Sequence, residues 1–242
     1  MFDAKPHWSV TMQLLTHDSN AKLAKTNKAQ TEYMFIGLSM MPNYILCPGA
    51  KAAGCMDDCL KSAGRGQMTS VALARQAKTD YFMSNPNAFM AQVVKEMQSY
   101  VRRAAKRKVT LACRMNVLSD VDWENIPVKV DGVMYENLMK AFPMVTFYDY
   151  TKRADRLYDM PYDLTFSYSG KPSYQNQIKH ALKAEARMAV VFAGEFPLTF
   201  MGRKVIDGDA QDARFLDAQG VIVGLKAKGK AKHNDNGFVV RT

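Results

Sequence analysis

The sequence predicts a single α/β domain built on a parallel sheet, arranged as a partial or closed (β/α) barrel, with an open doubly wound sheet as the alternative. Three observations carry this expectation. Seven short β-branched and aromatic runs are spread over residues 33–226, each nearly continuous in apolar character, as strands buried on both faces are. Stretches of helical character separate several of them, the alternation that marks a parallel sheet covered by helices. No low-complexity linker divides the chain, and 242 residues suit one barrel.

In chain order, residues 1–30 are polar and carry no strong period apart from Val10 to Leu15; with Lys22, Lys25 and Lys28 they read as an exposed arm preceding a barrel-like domain over 31–242. YMFIGLSMM (33–41) is an apolar run of strand length, ended by Pro42 and Asn43. Residues 56–75 and 87–108 read as helices. In the second, Phe89, Val93, Val94, Met97, Tyr100 and Val101 recur at three- and four-residue steps and form one buried stripe. Its basic end, RRAAKRK, suits a helix C-terminus, where the dipole favours cations. The remaining strand-like runs are VTLACRMNVLSD, MVTFYDYTK, YDLTFSYSG, RMAVVFAG, RKVID and GVIVGLK, with 135–141, 152–158 and 174–187 as helices or loops between them. KAKGKAK (226–232) reads as a flexible basic tail or a phosphate contact.

Cys47, Cys55 and Cys59 fall within CPGAKAAGCMDDC, a C-x7-C-x3-C spacing, directly after the first strand. Three thiolates on one irregular loop can hold three irons of a four-iron cluster and leave the fourth open. A structural zinc would need a fourth ligand from Cys113, His7, His17, His180 or His233. Disulfide or redox thiols, and plain packing of small buried side chains, are the competing readings.

Working residues of a parallel barrel collect where the strands end, because all those ends open onto one face. The second run delivers Arg114, Asn116, Ser119, Asp120, Asp122 and Glu124; the third Asp149 and Lys152; the fourth Ser167; the last two Asp207 and Lys226. Asp120, Glu124, Asp149 and Asp207 are therefore the candidates for acid–base work, and paired aspartates could hold magnesium. Asn116 and Ser167 are candidates for cofactor contact. Arg114, Lys152 and Lys226 would anchor anionic substrate groups. Competing readings are local: SDVDWE as a capped helix start, DGDAQD as a tight turn.

Thirty-three Lys and Arg against 23 Asp and Glu leave a net charge of +10, which favours a polyanionic partner. No apolar run approaches the ~20 residues that span a bilayer, and the opening residues do not read as a secretory leader. The expected partner is a polar small-molecule or nucleotide-derived substrate for an iron–sulfur enzyme. The alternatives are nucleic acid, for a binding protein or metal-dependent nuclease, and a host protein, for an inhibitor without catalysis.

CPGA with the later cysteines, SAGRG, RMNVLSDVDWE, FYDYTKR, LTFSYSG, VIDGDAQDARFLD and VIVGLKAKG resemble the phage-encoded gene product 88 family from about Leu38 to the end. That resemblance implies a bacteriophage protein working in the host cytoplasm. More distantly, three cysteines in the loop after the first strand of a partial barrel are similar to radical S-adenosylmethionine enzymes. This second resemblance implies a [4Fe–4S] cluster and S-adenosylmethionine. The chain departs from it in spacing, since C-x3-C-x2-C is usual there, and in having MNVLSD where a glycine-rich segment is usual.

Overall fold

The computed structural model describes residues 12–17, 21–57, 59–233 and 235–241. Strands β1 (Leu15–Thr16), β2 (Tyr33–Leu38) and β3 (Thr110–Arg114) open a nine-stranded sheet. It continues through β6 (Thr146–Thr151), β7 (Asp163–Ser167), β8 (Met188–Phe192), β9 (Thr199–Phe200), β10 (Arg203–Asp207) and β11 (Ile222–Lys226), in the spatial order β1-β2-β3-β6-β7-β8-β11-β10-β9. The seven runs expected as strands are the seven central strands, and every pairing among them is parallel. Only β1 and β9, at the edges, are antiparallel. The fold is thus α/β with a large, mostly parallel sheet. No pairing among the described residues joins its two edges, so the closed barrel is not observed. Nor does the order reverse from a central strand, as a doubly wound sheet would.

The outer face is the larger core. Helix α4 (Pro86–Arg107) starts on Asn85, whose side chain accepts the Ala88 N–H, and on Pro86, whose ring fixes the first helical turn. It ends at Lys108 in the left-handed region, φ 57°. Its stripe of Phe89, Val93, Met97 and Tyr100 packs on Ile36, Leu111, Cys113 and Phe147. Helix α6 (Gln175–Lys183) places Ile178 and Ala181 against Phe166, Met188 and Val190 further along. Strand periodicity sends the alternate residues Phe35, Ala112 and Tyr148 to the inner face, where they meet Leu23 of helix α1 (Ala21–Ala29) and Ala213.

Ala213 arrives there for a topological reason. From β2 to β8 the strands advance in one direction and their connections cover the outer face. The step from β10 back to β11 runs the other way, and a right-handed connection made in reverse crosses the opposite face. Residues 208–221 therefore cross the inner face, where Phe215 lies 5.2 Å from Tyr148 and 6.2 Å from Phe35, ring centre to ring centre.

Several sequence expectations need revision. The arm over 1–30 is only in part exposed: Leu14, Leu15, Leu23 and Thr26 are buried, and Glu96 accepts the Leu14 and Leu15 N–H groups at 3.0 and 2.7 Å. Residues 1–11 of that arm, with His7, lie outside the described residues. The helix expected over 56–75 is instead 3-10 turns around Gly64 and Gly66 followed by α3 (Thr69–Ser84). Residues 152–158 form a 3-10 turn, and 135–141 shrink to α5 (Leu138–Ala141). A hairpin of β4 (Val128–Val130) and β5 (Val133–Tyr135) was not anticipated. Its loop is Asp131-Gly132, both at positive φ, the dipeptide that two-residue hairpins select. No helix among the described residues is long and apolar enough to cross a membrane.

Candidate functional site

All the parallel strands end on one side of the sheet, and a cavity of about 220 Å³ opens there. Its walls include Cys47, Cys55 and Cys59 from the loop after β2 and Arg114, Asn116, Ser119 and Asp120 from the end of β3 and beyond. Lys152 and Ser167 enter from the ends of β6 and β7, and Lys226 and Lys228 from the end of β11. The convergence of the thiol loop with the charged strand ends, expected from topology alone, is present. Glu124, Asp149 and Asp207 do not line the cavity.

The thiol loop is shaped locally and then docked. Asn43 accepts the N–H groups of Ile45 and Leu46 at 2.9 and 2.8 Å. The short helix α2 (Ala50–Ala53) ends on Gly54 at φ 67°. Its last carbonyls accept from the Ser169 hydroxyl at 2.7 Å and the Asn236 amide at 2.8 Å. Gly49 abuts the end of β6 so closely that an added Cβ would stand 2.8 Å from the Lys152 Cβ. Burial, with smaller contributions from Cys59, Asp120 and Cys55, pushes the Cys47 thiol up to about 12, and burial also raises Cys59. Both thiols are neutral at physiological pH, and Cys47 donates to the Leu118 carbonyl at 3.5 Å.

The three thiols share a cavity, yet among the described residues no three His, Cys, Asp or Glu side chains are gathered as a metal site. The donor set has the soft chemistry that iron–sulfur clusters use; its spacing, as it stands, is not that of a closed site. Cys113 belongs elsewhere. It is fully buried in the outer core beneath α4, where burial raises its thiol well above its ordinary value, so it cannot serve as a fourth ligand.

The loop after β3 is bound up in itself and its neighbour. The Asn116 side-chain oxygen accepts from the Ser119 hydroxyl at 2.8 Å, the Val121 N–H at 2.9 Å and the Trp123 indole at 2.9 Å. Its own backbone N–H donates to Asp149 at 2.8 Å. Asn116 thus builds the loop rather than presenting its amide to the cavity. Asp120 accepts the Lys152 N–H at 2.8 Å and pairs with Arg156. Arg156 grips Glu124 at 2.7 Å through two nitrogens, and Arg153 grips Asp122 at 2.6 Å. SDVDWE and TKRADR therefore read each other: three acids on one loop and two arginines on the next form one partly buried ion-pair network. Of the four candidate acid–base carboxylates, two are spent in that network.

Asp149 is almost fully buried and faces Arg114 at 3.7 Å; burial outweighs that cation and raises its carboxyl to about 8. Asp207 is exposed and accepts the Asp209 N–H at 2.7 Å, the tight-turn reading of DGDAQD. Asp212 was the informative residue of that segment. It is fully buried, pairs with Arg114 at 2.7 Å and accepts from the Tyr150 hydroxyl at 3.0 Å. Arg114 also rests on the Tyr150 ring at 4.3 Å, so this candidate anchor is a floor strut held by Asp212.

What sequence reasoning missed is the apolar lining. Val117, Leu118, Val191, Leu225 and Phe238 face the cavity between the charged tips. Phe238 comes from the C-terminal segment, which is not a free tail: Val239 is buried and Val240 bridges Phe192 in parallel. The apolar run Phe238-Val239-Val240 was the available signal.

These features define a class: an α/β protein with a mostly parallel sheet, its order one-way from β2 to β8 and reversed between β10 and β11, and a mixed polar and apolar pocket at its strand ends. The chain matches the family model described as Gene product 88 over residues 12–242 and belongs to that family. No curated protein and no solved structure matches it.

Proposed function

We propose that this chain is an enzyme acting on a polar, nucleotide-like small molecule in the strand-end cavity, with Cys47, Cys55 and Cys59 as ligands of an iron–sulfur cluster. The observation that supports it is the meeting of three thiols from one loop with Lys152 and Ser167 at a single pocket. Strands advancing one way from β2 to β8, with the cysteine loop after the first parallel strand, also resemble part of a barrel of the radical S-adenosylmethionine type, from which the reversed step between β10 and β11 departs. Cys47 and Cys59 are neutral as they stand, so loading would release protons and draw the loop together. When bound, the cluster would supply electron transfer or an open iron coordination position; the chain's own side chains would bind and orient the substrate. Host cytoplasm, where thiols stay reduced, fits this reading.

Purification without oxygen, followed by iron and sulfide reconstitution, tests it. A brown protein with stoichiometric iron, turned colourless by C47S, C55S or C59S, is expected. An iron-free, colourless protein after reconstitution overturns the proposal. Zinc under the same conditions would replace the cluster by a different metal.

A second reading has its own observation. At the end of α4, Arg102, Arg103, Lys106, Arg107 and Lys108 are exposed, in a chain of net charge +10. This face could bind nucleic acid, and affinity for single-stranded DNA would then fall steeply with salt. A magnesium-dependent nuclease has less support, because Asp120 and Glu124 are already paired with Arg156. Triple substitution of the cavity cysteines separates an enzyme, which loses activity, from an inhibitor of a host protein, which does not.

A further inference from the structure

The cations around the cavity are not equivalent. Arg114 is matched by Asp212 at 2.7 Å, Lys226 by Glu195 at 3.0 Å, and Lys228 by Asp209. Lys152 makes no ion pair among the described residues, yet several contacts hold it in place. Its N–H donates to Asp120, which also pairs with Arg156. Its carbonyl accepts from the Tyr174 hydroxyl, and its Cβ fits against Gly49. Its ammonium donates to the Ser167 hydroxyl at 2.7 Å and stands 5.0 Å from the centre of the Phe238 ring.

A cation held on several sides beside apolar walls, with the nearby Asp120 carboxylate turned to its backbone N–H and to Arg156 and no carboxylate among the described residues in contact with its ammonium, is incompletely compensated. A ligand anion would supply the missing partner without the entropy cost of ordering a free lysine. The surrounding Val117, Leu118, Val191 and Leu225 can cover an apolar body, and they offer a second charged group nothing. We infer that Lys152 and Ser167 form the head-group subsite for an organic anion carrying one acidic group, phosphate or carboxylate, on an apolar or planar body. The inference rests on reading this cavity as the small-molecule site. It does not depend on the cluster.

Calorimetric titration of the full chain without metal, at low ionic strength, tests it with two matched pairs: adenosine 5′-monophosphate against adenosine, and indole-3-acetate against indole-3-acetamide. A hydrogen bond to a charged group is strong enough for the anion of at least one pair to bind ~10-fold more tightly than its neutral partner. K152M should erase that preference, K152R should retain most of it, and S167A should reduce it. Whichever pair responds distinguishes phosphate from carboxylate. Asp120, Tyr174 and Gly49 contact only the backbone and Cβ of Lys152, so K152M keeps those contacts; circular dichroism checks its folding, and wild type with K152R and S167A decides the matter if it fails.

Equal affinity within both pairs, no binding of either pair at millimolar concentration, or a preference that survives K152M and disappears in K226M would overturn the subsite. Colourless protein that still prefers the anion removes the cluster and leaves the subsite standing. Brown protein without the preference does the reverse.

Discussion

The loops that follow β2 and β3 leave neighbouring parallel strands, line the same cavity and both looked from sequence like carriers of chemistry. They differ in where their polar groups point. The loop after β3 spends its groups on itself and on the next loop: Asn116 takes three donors, and Asp120 and Glu124 share Arg156. The loop after β2 is fixed mainly through backbone carbonyls and a glycine contact, and its thiols line the cavity. The difference teaches that dense charge at a strand end marks a joint as readily as a site. Ionised groups pair with each other when buried, because an unpaired buried charge is costly; thiols carry no such demand and remain available.

The largest test of that contrast removes the cation of the joint. R156M leaves Asp120 and Glu124 buried without their partner, and breaking such a pair from one side costs roughly 3–5 kcal/mol. Urea denaturation should show a loss of that order, and the triple variant R156M/D120N/E124Q should recover much of it. A loss below ~1 kcal/mol would mean that the network does not hold the loop. Next comes N116A, which strands the donors of Ser119, Val121 and Trp123. At about 1 kcal/mol or more for each buried donor left unsatisfied, ~3 kcal/mol should be lost. Trp123 emission should shift to the red as its burial loosens. Unchanged emission together with unchanged stability would contradict the role given to Asn116.

The sequence displayed the sheet well and the site unevenly, for physical reasons. Strands buried on both faces announce themselves as apolar runs, so all seven parallel strands could be read. Position at a strand end is set by topology, so Cys47, Lys152 and Ser167 could be placed in one pocket before any coordinates. Pairing is set by three-dimensional distance, and nothing in SDVDWE says that its acids face Arg153 and Arg156. Asp212 could be placed near the strand ends, but its pairing was unreadable for a related reason: only the reversed step from β10 to β11 carries it across the inner face to Arg114. Short elements outside the main strands were missed, as with Asp131-Gly132 and the run at Phe238.

On the thiol side the expected effects are smaller. G49A places a methyl 2.8 Å from the Lys152 Cβ, between two backbones that are both tethered. Because φ at Gly49 is −74°, the conformation suits alanine and only the contact opposes it. Overpacking of this kind costs roughly 1–3 kcal/mol, and the loop should yield before the strand does. Faster alkylation of Cys47 in G49A, with the Trp123 signal intact, is the expected pattern. Equal loosening of both loops would show that they form one unit and end the comparison.

The last effect is kinetic. Burial holds the Cys47 thiol near 12, far above an unperturbed cysteine at about 8.5. Since the thiolate is the nucleophile, its fraction below that value climbs about tenfold for each pH unit. Alkylation by iodoacetamide, followed on the Cys47 peptide by mass spectrometry, should therefore keep rising from pH 8 through pH 10 in the folded chain. In urea, where burial is lost, the same peptide should level off just above pH 8.5. The sign follows from the direction of the shift: a raised value favours the protonated form, so folding protects Cys47 at neutral pH and protects it less as pH climbs. A folded-state profile that levels off near pH 9 would mean that Cys47 ionises as readily in place as in free chain. The thiol loop would then begin to carry charge at mildly alkaline pH, and burial would no longer set it apart from the acid-bearing loop beside it.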